Sequence, residues 1–173
     1  MILVFTIIAA AYSCRMLAML DIGGAWMSYI RAALYLLLFS LWGYSLDRRI
    51  IQTQALHCLR LTAALMLVWL ILRTLKYEFV TDLTVARYIW YLYYLPMLFI
   101  PLLGVYIALS LGKSEEYRLT EKAGFLVAVP GILFLLVITN DLHQQVFAFD
   151  SGVPGVPDNY GYSHGIFYFC SMA

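Results

Sequence analysis

The chain has 173 residues, 64% hydrophobic and only 12% charged, against roughly 25% charged and about 45–50% apolar in a soluble globular domain. So few polar residues cannot cover the wet surface of a soluble domain of this length, and lipid must solvate much of it. The formal net charge of +1 comes without a basic run or face, which excludes nucleic acid as a partner.

A bilayer core about 30 Å thick needs roughly 20 apolar residues of helix, and five whole runs and one partial run approach that length. The first, Ile2 to Leu20, is interrupted by Arg15 and ends at Asp21-Ile22-Gly23-Gly24. Ala9-Ala10-Ala11 resembles a small-x-small cleavage site, yet no Lys or Arg precedes the run and hydrophobicity resumes after Arg15. The run is therefore expected to stay attached. Arg15 is expected either to pair with a carboxylate on another helix or to mark a helix that rests at the interface.

The second run, Met27 to Leu46, carries Arg31 near its start, where a long side chain can snorkel, and stops at Asp47-Arg48-Arg49. A third, Leu61 to Leu75, lengthens to about 58–75 or by a turn at each end if Arg60 and Arg73 snorkel. Next comes Tyr88 to Leu111, the clearest span. Its start is crowded with Tyr88, Trp90, Tyr91, Tyr93 and Tyr94, and Pro96 and Pro101 follow. The rings suit a headgroup-level aromatic belt or the lining of an outward-facing ligand cavity. The prolines, each lacking a backbone donor, predict a helix that bends.

The fifth run, Ala123 to Thr139, has Pro130-Gly131 in its middle, which predicts a kink rather than a break. It closes on Thr139-Asn140-Asp141-Leu142-His143-Gln144-Gln145. Asn and Asp here can terminate the helix by bonding the local backbone. Alternatively, His143 beside Asp141 could sense protons or hold a polar ligand at the membrane surface; a metal site would need further ligands, from Asp150, Asp158 or His164. The following segment holds the Pro/Gly-rich 151–157 stretch and Phe147, Phe149, Tyr160, Tyr162, Phe167 and Tyr168, rings expected to pack onto the helix ends. The last run, Gly165 to Ala173, covers about half of a membrane core, so the chain is expected to continue as a longer protein.

Lys and Arg in short loops set orientation. The loops 47–60 and 112–122 hold Arg48, Arg49, Arg60, Lys113, Arg118 and Lys122, whereas the alternate set holds Lys76 and Arg87, with Arg73 nearby. The first set is assigned to the cytoplasm. Cys14, Cys58 and Cys170 lie far apart and read as buried small hydrophobes. No nucleophile constellation, phosphate loop or paired carboxylate is present, so no catalytic residue and no metal or other cofactor is expected.

Arg48-Arg49, then Tyr91-Leu92-Tyr93-Tyr94-Leu95-Pro96, then Thr139-Asn140-Asp141-Leu142-His143, and finally Tyr160-Gly161-Tyr162 occur in an order that resembles the seven-transmembrane N-terminal domain of bacterial sensor histidine kinases. The resemblance runs from about Met27 and covers four or five of the seven helices. It implies a multi-pass protein of the bacterial plasma (inner) membrane that passes a signal to a cytoplasmic kinase module and can pair as a homodimer. Ile2 to Leu20 precedes the family pattern and would add an eighth span. No phosphoacceptor or ATP-binding segment is present in these residues.

The expectation is thus a single all-α membrane sensor domain over 1–173, a bundle of five to six transmembrane helices at about 2–20, 27–46, 58–75, 88–111, 123–139 and 165–173, the last truncated. Asn140, Asp141, His143, Tyr91, Tyr93 and Tyr94 are the candidates for receiving a small ligand or membrane stimulus, and Pro96, Pro101 and Pro130 for helix bending. A transporter or channel component is the alternative, and would need polar groups near the bilayer midplane beyond Arg15, Ser40 and Thr62. A membrane-embedded enzyme comes third, for lack of a catalytic cluster.

Overall fold

A computed structural model describes residues 2–19, 26–46, 52–113, 124–149 and 162–168. Among the described residues the chain is all-α apart from one short ribbon. Its helices are α1 (Ile2–Met19), α2 (Trp26–Ser45), α3 (Thr53–Glu78), α4 (Leu83–Leu92), α5 (Tyr94–Ser110), α6 (Ala128–Ile138) and the single turn α7 (Asn140–His143). Strands β1 (Phe147–Phe149) and β2 (Tyr162–His164) pair antiparallel, with Phe147 opposite His164.

Local chemistry sets the boundaries. Helix α3 outruns the expected 58–75 at both ends, with Thr62 and Thr74 hydroxyls donating to the carbonyls of Cys58 and Leu70 at 2.9 Å each; such back-bonding satisfies a hydroxyl where water is scarce. Helix α4 begins at Leu83, not Tyr88, because the Asp82 carboxylate accepts the N–H groups of Thr84 at 2.7 Å and Val85 at 3.4 Å. An N-cap of this kind removes two orphan donors.

The expected fourth span is two helices. Pro96 has no N–H to offer the Leu92 carbonyl, and the ladder fails there: Tyr93 N–H donates to Trp90 O at 3.1 Å, three residues back instead of four. Pro101 lies within α5, which continues through it. At the far end Leu111 and Gly112 form a turn closed by Lys113 N–H to Ser110 O at 3.2 Å; its third position needs positive φ, which Gly112 supplies at 75°. In the fifth run the irregularity precedes Pro130: residues Phe125–Val127 form a 3-10 turn and the α-helix starts at Ala128. Proline is tolerated in a first helical turn, where its missing donor costs little.

Helix α1 packs on α2, α2 on α3, α3 on α5, and α5 on α6. Gly43 permits the α2–α3 approach, since a Cβ there would stand 3.3 Å from the Ala63 Cβ. The helix ends sort into two groups. Gln52 Nε2 donates to Ser110 O at 2.8 Å, joining the start of α3 to the end of α5; the Tyr29 and Phe79 rings, 5.9 Å apart, join the start of α2 to the end of α3 at the opposite end. The described residues that flank the basic segments, Leu46, Gln52 and Lys113, thus lie at one end of the bundle.

Two apolar helices, α3 and the α4–α5 run Thr84–Ser110, are long enough to cross a membrane; 22% and 17% of their most apolar stretches are buried. A core helix of a soluble protein would be mostly buried. Large apolar side chains such as Phe5, Trp26, Phe125, Ile132 and Leu135 instead face outward, as lipid solvation requires. Arg15 is exposed and pairs with no carboxylate among the described residues. Cys14 and Cys58 are free. Of the final run Gly165–Ala173, a helical turn at Ile166–Tyr168 is described; Asp150, Asp158, Tyr160 and Cys170 lie outside the described residues.

Candidate functional site

Helix α6 ends at Thr139, and one further turn, Asn140–His143, redirects the chain into strand β1. The redirection requires a left-handed residue, Gln144 at φ 49°, whose N–H donates to Asn140 O at 2.7 Å. Asn140 is fully buried, and its amide takes over the bonding of the chain that follows. Oδ1 accepts the N–H groups of Val146 at 3.0 Å and Phe147 at 2.9 Å; Nδ2 donates to Phe147 O at 2.8 Å and lies 3.4 Å from Tyr91 Oη. All of this amide's strong bonding capacity is used, as burial demands.

That arrangement drives the Phe147 ring into the bundle. Phe147 is 0% exposed, 4.5 Å from Trp90, 5.6 Å from Tyr94, 5.7 Å from Tyr168 and stacked with Tyr91 at 6.3 Å, centroid to centroid. With Tyr91, Tyr94, Val137 and Val146 it forms the buried core at this end, flanked by Leu98, Phe134 and Leu136. The aromatic mouth is therefore filled by the chain's own ring. The ribbon holds it there: Gly165 N–H donates to Val146 O at 2.9 Å and Phe167 N–H to Gln145 O at 3.2 Å. A Cβ on Gly165 would collide with the Gln145 carbonyl.

The charged part of the site spans the same joint. Tyr91 Oη donates to Asp141 Oδ1 at 2.7 Å, and Asp141 Oδ2 meets the Arg87 guanidinium at 3.5 Å, both side chains one-quarter exposed. Arg87, read in the sequence as a loop charge, thus belongs to the site. Helix α4 carries Arg87, Trp90 and Tyr91 toward α6–α7, and Tyr94, the first residue of α5, continues the same face at helical spacing.

Tyr93 departs from that face. It turns to α3, where the ammonium of buried Lys76 lies 5.8 Å from its ring, 5.8 Å from Trp90 and 5.4 Å from Tyr77. The Tyr93 hydroxyl is buried without a hydrogen-bond partner among the described residues. No sequence motif marks Lys76, which read only as a helix-end charge.

His143 also differs from the expectation that pairs it with Asp141. Nδ1 accepts the Gln145 N–H at 3.0 Å, which leaves the proton on Nε2, 3.1 Å from Leu136 O and 3.3 Å from Thr139 Oγ1. Both ring nitrogens are engaged within its own turn, so the imidazole closes the end of α6. Among the described residues no three His, Cys, Asp or Glu side chains gather closely enough to hold a metal ion.

The site is a water-poor polar network inside an aromatic cluster, strong while satisfied and costly to break in part.

Residues 29–173 match the family model for the N-terminal 7TM region of histidine kinase. No curated protein and no solved structure matches the chain. The motif at Asn140 and the aromatic helix at Tyr91 both lie within the matched span, and the match covers most of the chain. The chain belongs to the family of N-terminal 7TM regions of histidine kinases.

Proposed function

We propose that this chain is the signal-input region of a two-component sensor histidine kinase, and that its stimulus acts where Tyr91, Tyr94, Asn140 and Asp141 surround Phe147. The observation that carries the reading is a joint beside a plug. Phe147 packs on Tyr91 and Tyr94, which lie two residues before and one residue after Tyr93, where α4 gives way to α5. Moving the plug alters the contact that holds α4 relative to α5, and α5 leads to the far end of the bundle. A ligand or membrane stimulus drives such a change only if it binds the two arrangements with different affinity.

In this reading α1, α2, α3, α4–α5, α6 and the run from Gly165 form five to six spans in a bacterial inner membrane. The end bearing the basic loops faces the cytoplasm, where a kinase module of the full-length protein receives the displacement. Asn140, Asp141, Tyr91 and Tyr94 hold the plug, with Arg87 fixing Asp141; His143 shapes the turn that presents Asn140, and Tyr93 reports the joint to α3. Pro96 provides the weak point, while Pro101 and Pro130 adjust the helices on either side.

The kinase reading is tested on the full-length protein in lipid nanodiscs with γ-labelled ATP. Acid-labile phosphate on a histidine is expected. Absence of any phosphohistidine across activating lipid compositions and ionic conditions would contradict it.

A further inference from the structure

Helices α2 and α3 approach closely at Gly43 and Ala63 and run on toward the end that carries the aromatic plug. There they enclose a cleft of about 320 Å³, lined among others by Ser28, Arg31 and Tyr35 of α2 and Arg73, Thr74 and Glu78 of α3. Ser28, Arg31 and Tyr35 follow one another at three and four residues, and Arg73 and Thr74 lie five and four residues before Glu78, so each helix turns one stripe toward the other. The cleft shares no residue with the plug site.

Its charges are unmatched. Among the described residues, Arg31 and Arg73 form no ion pair, Glu78 forms none with either, and the Ser28 and Tyr35 hydroxyls make no hydrogen bond. Arg73 is met by the ring of Trp69 on its own helix, 5.7 Å away. Two guanidinium groups and one carboxylate leave the cleft one positive charge in surplus. Arginine carries donors in a fork suited to oxyanions, and two forks on separate helices can grip different oxygens of one tetrahedral group. A planar carboxylate would be satisfied by one of them.

The surroundings are apolar. Ile30, Leu37, Ile71 and Leu75 are large exposed hydrophobic residues on the same two helices. Both arginines lie five residues from the end of their helix, about 7.5 Å along the axis, within snorkelling reach of a headgroup layer. We infer that the α2–α3 cleft binds a phosphate-bearing group, its oxygens held between Arg31 and Arg73, supplied either by a lipid headgroup or by a soluble phosphate.

The test uses full-length protein in a phosphate-free detergent, titrated with short-chain phosphatidylglycerol, with diacylglycerol and with inorganic phosphate, while the unfolding midpoint is followed. Phosphatidylglycerol should raise the midpoint saturably, and diacylglycerol should not. In R31Q/R73Q the half-saturating concentration should rise at least about tenfold, whereas K113Q, at the opposite end of the bundle, should match the parent. An arginine-dependent response to inorganic phosphate without a further gain from lipid supports the site and assigns it to a soluble ligand. Equal responses of the parent and R31Q/R73Q to both phosphate probes, or no response of the parent to either, overturn the inference. Should R31Q/R73Q not fold, R31K/R73K keeps the charges but loses the forks; binding unchanged from the parent would then overturn it.

Discussion

The Asn140 side chain holds Phe147 by both of its backbone polar groups, accepting its N–H at 2.9 Å and donating to its carbonyl at 2.8 Å. A primary amide is the one side chain that offers donor and acceptor side by side in this geometry. The bond pair imitates a strand partner at a place where α7 is still finishing.

Replacing Asn140 by Ala would leave the Val146 N–H and both Phe147 backbone groups without this partner in a dry site. The expected loss is about 2–4 kcal/mol, read from denaturation of the purified protein. Asn140→Asp keeps the acceptors but faces the Phe147 carbonyl with a second oxygen, so it should also be destabilised. A change of under about 0.5 kcal/mol in both variants would mean that the amide is not the support it resembles.

His143→Gln is expected to lose about 0.5–2 kcal/mol, the scale of a helix cap, and to signal normally once folded. The reason is the engagement of both ring nitrogens by Gln145, Leu136 and Thr139. A variant of parental stability that no longer responds would instead place the imidazole in direct contact with the stimulus.

Gly165→Ala should disturb the ribbon, since a Cβ has no room against the Gln145 carbonyl. Backbone amides of Val146 and Phe147 should exchange faster by hydrogen–deuterium exchange, while those of α3 stay protected. Unchanged exchange at 146–147 would show that the ribbon tolerates the methyl by a small shift.

The apolar helices were legible because lipid solvation writes them as apolar runs, though among the described residues only α3 and the α4–α5 run are long enough to cross a membrane, and the turn at Asn140 was legible because a polar cluster at the end of such a run is unusual. Helix α4 was misjudged in two ways with physical causes. Its start depends on the Asp82 cap, hidden within the polar loop Thr81-Asp82-Leu83-Thr84. Its end depends on Pro96 acting on a carbonyl four residues back, so the break falls near Tyr93 and not at the proline. Tyr93 was grouped with Tyr91 and Tyr94 because ring type, not facing, drew attention; one helical step places it on α3 instead. The ribbon left a faint signal, Phe147-Ala148-Phe149 against Tyr162-Ser163-His164 with Gly165 behind, too short for periodicity to define a strand. Ion pairing of Arg87 with Asp141 joins residues fifty-odd positions apart, which no local pattern records.

The proposed orientation, with the end nearest the basic segments in the cytoplasm, is read by thiol labelling. In a cysteine-free background, Leu142→Cys, 87% exposed at the plug end, should react with an impermeant thiol reagent in intact cells, and Lys113→Cys should not. The reverse pattern would invert the bundle and put the plug in the cytoplasm.

The central claim is that output depends on the seating of Phe147, and it is tested most directly by autophosphorylation of the full-length protein in nanodiscs, normalised to folded protein. Phe147→Ala, with Phe147→Leu as the milder companion should the first fold poorly, is compared with the parent. Release of the plug should change the output per folded molecule by about fivefold or more, the scale of ordinary allosteric coupling, with leucine falling between. Output per folded molecule identical in the parent and both variants, despite lowered stability, would contradict the claim and leave Phe147 a packing residue only.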